Sequence, residues 1–483
     1  MAGDMAGFLK VVEAASSRLR SWLREGFFID VFTHNDADAL SSAGIVAGAL
    51  REEDAKYRVR SLNRIDDFIQ LFNEGCVESD AIIFTDIGSG YLDELSRLLE
   101  GKQVVILDHH EPRSDENPRN WVHVNPHHHG FDGAREISAA GVAYFVCKNL
   151  NPSNIHYSAV AVVGALGDLQ DKDNRRRLHG LNSLIVEDGI KAGVLEARED
   201  IILYGRTFRP AHMALAFTTS PYIPGLSGRE DACYGFLTSL GLSLKDGDQW
   251  RTLSDFSEEE KKRLYNGLIQ YLVSNNLPSS IAEELVGTAY DLIKEELWTY
   301  LRDAREYATL LNACGKTGKP WLGIVVAMGA RAEVLEEAQK VLEEYRASLA
   351  RAMDYVARPG VKEELNHIVV LKGGEVIDEK QVSSIASIIS SSGLLPPDKA
   401  LVAFATAGNM VKISSRAPKT LVDKGVNLGA LLSSLAASYG GKGGGHNVAA
   451  GAEIPSDRLI RFLADLDKAI GEQIASAASQ FSD

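Results

Sequence analysis

Short apolar runs alternate with helix-period stretches through the first third of the chain. Residues 27–33 (FFIDVFT), 57–62, 81–85 (AIIFT) and 104–107 (VVIL) are rich in β-branched and aromatic side chains. Between them, residues 39–51 and 91–100 place apolar positions at helical spacing. Strands without polar alternation, separated by helices, predict a parallel sheet covered on both faces. Helices over 138–150 and 158–166 close this first region. From about 182 to 307 the pattern turns mostly helical. Residues 257–275 open with Ser257 and Glu260 in capping-box spacing, and 281–311 also read as helix. A long helix over 331–355 ends at Arg358-Pro359-Gly360. Alternation then returns. Strands are expected at 367–371, 401–405 and 410–414, and helices at 381–391 and 428–439. A glycine-rich loop and a strand ending at Ile454 complete the pattern. The expected fold class is α/β, with a parallel-sheet domain (1–180), a mostly helical insert or linker (181–330) and a smaller α/β domain (331–483).

The chain has 483 residues, of which 45% are hydrophobic and 24% charged, a soluble globular balance that excludes a fibre, a disordered tail and a membrane protein. Acids outnumber bases 66 to 51, for a net charge of −15. A broad electrostatic clamp on nucleic acid is therefore not expected, and any polyanion must be met by a local basic site or by metal ions. Cys76, Cys147, Cys233 and Cys314 form no C-x-x-C pair and read as reduced thiols. Residues 7–26 are amphipathic rather than a signal peptide, and no apolar run is long enough for a bilayer. A cytoplasmic protein without membrane contact is the expectation.

The chemistry-bearing residues stand where strands end. The first strand runs into His34-Asn35-Asp36-Ala37-Asp38, the third into Asp86 and the fourth into Asp108-His109-His110, and a later apolar segment ends at Asp168. In an open parallel sheet the carboxyl ends of the strands share one edge, where ligands bind. His34, Asp36, Asp38, Asp86, His109 and Asp168 are thus candidates to converge on one crevice. A lone aspartate at a strand end is usually a helix cap or turn residue. Four such clusters in one domain point instead to a shared site. Crowded carboxylates repel unless cations neutralise them. The mixed set of carboxylates and imidazoles suits Mn²⁺, with Mg²⁺ as the alternative, and its density fits two ions bridged by one aspartate.

Three further features stand out. The run 440–446 (GGKGGGH) supplies flexible backbone with Lys442 and His446, as an anion-binding turn would. Upstream, 412–416 (KISSR) sets Arg416 at a strand end, where it can fork onto a phosphate. His123 and His127-His128-His129 read as a polar loop rather than a metal site. Arg206 and Arg209 flank Phe208, either as a clamp on a nucleic-acid strand or as a turn at a domain interface.

Together these motifs resemble the DHH phosphoesterase superfamily. Asp108-His109-His110 is similar to its name-giving motif, and 34–38 (HNDAD) to its first, with His34 where bacterial RecJ nucleases often carry Asp. Asp86 and Asp168 are similar to the second and fourth motifs. Residues 443–451 (GGGHNVAAG) resemble the signature of the DHH-associated domain. Stretches 203–210, 221–228 and 303–316 are most similar to archaeal RecJ-like proteins, including the GINS-associated nuclease. The resemblance implies a DHH catalytic domain over 1–180 and a DHH-associated substrate-binding domain over 331–483. It implies one ion on His34, Asp36 and Asp86, and another on Asp38, Asp86, His109 and Asp168. Asp108 would orient His109, and His110 would face the scissile phosphate. Arg416, His446, Ser414, Gly444 and Gly445 would hold substrate phosphates.

The resulting expectation is a two-metal phosphodiesterase acting as a single-strand-specific exonuclease, 5′→3′ by resemblance, on DNA and in part RNA, in replication and repair. Single-stranded nucleic acid, GINS and the replicative helicase are the implied partners. Two alternatives stay open: an enzyme for oligoribonucleotides or small nucleotides, and a non-enzymatic scaffold subunit of the replicative helicase. All six candidate ligands are present, which argues against the scaffold alone.

Overall fold

Five strands form the parallel sheet: β1 (Phe28–Thr33), β2 (Lys56–Ser61), β3 (Ala81–Thr85), β4 (Gln103–Leu107) and β5 (Trp121–Val124). Their order is β2-β1-β3-β4-β5, and every pairing is parallel. The chain leaves β1 to one side for β2 and returns to the other side for β3. That reversal opens a crevice at the carboxyl ends of β1 and β3, the place where open α/β sheets bind ligands.

The strands are apolar throughout because helices cover both faces. Phe32, Ile82, Phe84, Val104 and Ile106 point to one face, under α3 (Ile65–Asn73) and α4 (Leu92–Leu98). There Phe68 meets the rings of Phe32 and Phe84 edge-on at 4.8 and 4.9 Å. Val31, Ile83 and Val105 are buried on the opposite face. That side carries α1 (Met5–Glu25), α2 (Ala37–Glu52), α5 (Ala139–Leu150) and α6 (Ser158–Gly167). Strand β5 was not foreseen, since a four-residue edge strand carrying His123 has little apolar signal.

The computed structural model describes all residues except 1, 2, 114–117, 119, 173, 174, 219, 220, 278, 392–394 and 481–483. Its first unit comprises Met1–Leu215 with Tyr234–Glu343, and its second Ala216–Cys233 with Glu344–Asp483. The sheet and the segment after it therefore share one unit. In that segment, α7 (Leu181–Lys191) leads to β6 (Leu195–Ile201). The expected helix over 281–311 is not continuous. Val286–Leu292 is a strand paired antiparallel with β6, and a helix starts only at Ala304–Lys316. Tyr290 and Leu292 are buried in the strand. Asp303 then caps the helix, its Oδ1 accepting from the N–H groups of Arg305 (2.9 Å) and Glu306 (3.3 Å).

The second unit holds a six-stranded mixed sheet. Its order is Lys362–Glu364, Ile368–Lys372, Ala400–Ala407, Met410–Arg416, Ala449–Pro455, Lys442–Gly445. The expected glycine-rich loop is thus an edge strand. A Cβ on Gly443 would lie 2.3 Å from the carbonyl oxygen of Leu432. Glycine there lets the strand lie flat on the helix Leu428–Ser438. Gly445, at φ +136°, turns the chain into the hairpin.

Candidate metal centre

The ends of β1, β3, β4 and α6 each deliver candidate ligands into the crevice. After β1, Asp36 caps α2, its Oδ1 accepting from Ala39 N–H at 3.0 Å. Asp38, in the first turn of the helix, is buried. Its carboxylate accepts from the N–H groups of Ala139 (2.7 Å) and Ala140 (3.0 Å) at the start of α5. The positive end of that helix dipole supports the charge. After β3, Asp86 adopts φ +60°, a left-handed conformation that costs a non-glycine residue about 1–2 kcal/mol. Its N–H still bonds Leu107 O at 3.0 Å, so the ladder holds while the side chain turns into the crevice. After β4 come buried Asp108 and His109. Asp168 ends α6.

The six residues meet. His34, Asp36 and Asp86 offer ligand atoms all within 4.8 Å of one another, and so do Asp38, His109 and Asp168. A third set at that spacing, Asp86, Asp108, His109 and His110, joins the two. His109 Nε2 stands 3.3 Å from Asp86 Oδ1 and 3.8 Å from Asp38 Oδ2. Asp86 Oδ1 is buried, and among the described residues it accepts no well-aligned hydrogen bond, the 3.3 Å contact with His109 Nε2 included. An unsatisfied carboxylate oxygen at the junction of three ligand sets is what a cation site leaves when described without its ion. The donor set of carboxylates and imidazoles fits a divalent metal.

Electrostatics agree. Burial, then the Asp36 charge, pushes the Asp86 carboxyl well above its usual range. Burial likewise raises Asp38, against the pull of His109, and lifts Asp168 to about 6. His109 is driven far up: burial opposes its charge, but its contact with Asp86 and the charge of Asp168 outweigh that. Without a cation the cluster holds its negative charge only at a cost. Asp36 runs the other way: burial works against its charge, but the hydrogen bond and charge of His34 bring it far down.

Supporting atoms fix the ligands. His109 Nδ1 lies 2.7 Å from Gly133 O, which leaves Nε2 for the crevice. The expectation that Asp108 orients the His109 ring is corrected here. Asp108 Oδ1 instead accepts from His110 Nδ1 at 2.8 Å, and from the His109 N–H. This bond, although burial opposes it, pushes His110 up to about 9. The reason is geometric: adjacent side chains on an extended segment diverge, and the aspartate reaches the ring two residues on. Sequence reasoning missed Gln170, which bridges Gly133 O (2.8 Å) and Asp168 Oδ2 (2.9 Å). It also missed Asn312, whose Oδ1 accepts from Ala37 N–H at 2.9 Å, and Gly315, where a Cβ would fall 1.6 Å from Asn35 O. His127 Nε2 reaches His109 O at 3.1 Å, so the histidine run braces the centre from behind.

The candidate phosphate-binding residues lie in the second unit. Arg416 Nη1 donates to Ser414 Oγ (3.0 Å), and its Nη2 to Ser383 and Ser387 Oγ (3.0 Å each). Ser414, Gly451 and Gly444 are in register across three strands. Arg416 pairs with Ala449, whose carbonyl accepts from His446 N–H at 2.8 Å, so both cationic candidates share one end of the sheet. His446 is exposed at the hairpin turn. Arg206 is not available to any strand. It is 1% exposed and ion-paired to Asp303 (2.7 Å), Asp291 and Asp200 (3.4 Å).

The family model for the DHH family N-terminal domain matches residues 29–166, that for the DHH-CID domain 203–286, and that for the DHHA1 domain 366–472. The chain belongs to the DHH superfamily. An uncharacterized protein of Methanocaldococcus jannaschii is 30% identical over 473 residues, 96% of this chain and 99% of its own. Among solved structures, RecJ of Thermus thermophilus in complex with Mn²⁺ is 18% identical with a TM-score of 0.56. That alignment covers 96% of this DHH chain but 55% of RecJ, so this chain spans about half of RecJ's length. CDC45 of Entamoeba histolytica is 14% identical with a TM-score of 0.65, over 95% and 99% of the two chains. These likenesses carry the fold.

Proposed function

We propose that this DHH protein is a two-metal phosphodiesterase that degrades single-stranded nucleic acid as an exonuclease. It releases mononucleotides from the 5′ end of DNA, and of RNA to a lesser extent. The observation that carries this reading is Asp86, whose buried, unsatisfied Oδ1 joins the His34–Asp36 pair to the Asp38–His109–Asp168 set. Two bound divalent ions, Mn²⁺ preferred over Mg²⁺, would activate water and offset charge on the phosphate.

The chain's own groups supply the rest. His110, held at Nδ1 by Asp108, whose carboxylate raises its affinity for a proton, presents its outer nitrogen from a half-exposed side chain. That proton can stabilise a phosphoryl oxygen or pass to the leaving oxygen. Asp108, itself held by the Ser89 N–H at 2.9 Å, keeps the ring in place. Arg416, locked by three serines, suits a phosphate in the substrate backbone. Contacts to phosphate rather than bases imply little sequence preference.

In this reading the protein works in DNA replication and repair, with GINS and the replicative helicase as partners. The likeness to CDC45 favours a second role as a structural subunit. Asp36→Ala separates the two. It should abolish Mn²⁺-dependent cleavage of a labelled single strand and keep GINS binding in a pull-down. Cleavage confined to two- to four-residue oligomers would instead favour an oligoribonuclease.

A further inference from the structure

A cavity of about 250 Å³ opens in the first unit beside β6, lined by none of the metal-centre residues. We propose that it binds a nucleoside monophosphate.

Trp298 forms one wall. Its backbone sits at φ +70° and the residue is 59% exposed. A bulky residue in the left-handed region is an outlier, and such strain gathers at ligand clamps. Burial of the indole does not repay it, so the ring is held out as a flat surface on which a base can stack. Arg302 stands beside it. Its Nη1 donates to the carbonyl oxygens of Leu292 (3.3 Å) and Glu295 (3.1 Å), which aims the fork without neutralising it. Its charge also reaches the Asp291 carboxylate on the same wall.

Of the two carboxylates in the lining, one is already paired with cations. Asp291 pairs with Arg206 and, at 3.3 Å, with Arg198. Arg302 is thus the cation left to take a phosphate. Thr207 Oγ1 is buried and has no hydrogen-bond partner among the described residues. Asp255, fixed by the N–H and Oγ1 of Thr252 at 2.8 Å each, can accept from ribose hydroxyls. The volume lies below that of a drug-sized pocket and suits one nucleotide, not a strand.

The position gives the site a use. Asp303, paired with Arg206, caps the helix Ala304–Lys316. At the far end, Asn312 and Gly315 abut the loop that carries His34 and Asp36. Thirteen residues at 1.5 Å each separate the two ends by about 20 Å. One rigid helix therefore runs from the cavity region to the metal-binding loop. The proposal stands whether or not the centre is a nuclease.

Titration calorimetry on the full chain in EDTA tests it, since chelation removes metal-dependent phosphate binding. AMP should bind one per chain, at least tenfold tighter than adenosine or inorganic phosphate. Trp298→Ala and Arg302→Gln should each weaken AMP at least tenfold, and Asp36→Ala should not. No binding of AMP, affinity unchanged in both cavity variants, or affinity lost in Asp36→Ala would each overturn the proposal. Should a variant misfold, amide exchange on the wild type decides. AMP should protect 297–302, and the absence of protection refutes the site. Loss of nuclease activity in a separate digestion would bear only on the metal centre.

Discussion

Asp86→Asn should make the metal-free protein more stable and remove its response to Mn²⁺. In the native chain Asp86 Oδ1 is buried beside Asp36 and Asp38 and, with His109 Nε2 3.3 Å away, accepts no well-aligned hydrogen bond among the described residues. A buried polar atom left so costs about 1–3 kcal/mol. Asparagine keeps the shape, removes the charge and tolerates φ +60° better than most residues. In EDTA the variant should therefore gain about 1–3 kcal/mol. With metal at one hundred times its dissociation constant, the wild type gains about 2.7 kcal/mol by mass action, and the variant gains little. Metal therefore closes the gap, and it reverses the order of stability wherever the advantage in EDTA is below about 2.7 kcal/mol. The pH dependence has a defined sign. The Asp86 carboxyl holds its proton more tightly folded than unfolded, so its presence erodes stability as pH rises from about 4. The advantage of asparagine should accordingly vanish near pH 4 and be largest above neutrality. Urea unfolding with EDTA and with Mn²⁺ reads all of this. A variant less stable in EDTA that kept the full Mn²⁺ shift would refute the reasoning.

Arg206→Met should cost about 3–5 kcal/mol in urea unfolding, because three aspartates lose their buried partner; unchanged stability with weakened single-strand affinity would instead make Arg206 a substrate contact. Gly315→Ala should weaken Mn²⁺ binding at least tenfold, about 1.4 kcal/mol, because its Cβ meets Asn35 O at 1.6 Å; calorimetry showing native affinity would contradict this. Burial lowers His123 to about 4 from the usual 6.5, so the unfolded chain takes up its proton first and stability is lost as pH falls from 6.5 to 4. Between pH 7 and 4.5 the wild type should lose about 2–3 kcal/mol more than His123→Gln, and equal losses would count against a buried neutral imidazole.

The strands were legible because burial on both faces makes them unbroken apolar runs, and the candidate ligands because the runs of β1, β3 and β4 stop at an Asp or His. The switch between β1 and β3 then brings those stops together. The supporting atoms were not legible. Gly133 and Asn35 act through carbonyl oxygens, which every residue has, and Asn312 reaches Ala37 from 275 positions away. Asp108 stood in the right place with the wrong partner, since spacing does not say which imidazole it faces. The strand Val286–Leu292 was hidden by helix-favouring residues on either side, and its pairing with β6 decided its conformation. The edge strand Lys442–Gly445 lacks any side-chain signal because glycine is what its packing requires.

Digestion of a single-stranded DNA labelled at either end, with Mn²⁺, Mg²⁺ or EDTA, tests the central claim most directly. The account predicts mononucleotides released from the 5′ end, fastest with Mn²⁺, absent in EDTA and absent in Asp36→Ala. No hydrolysis with either metal, or undiminished hydrolysis by Asp36→Ala, would contradict it.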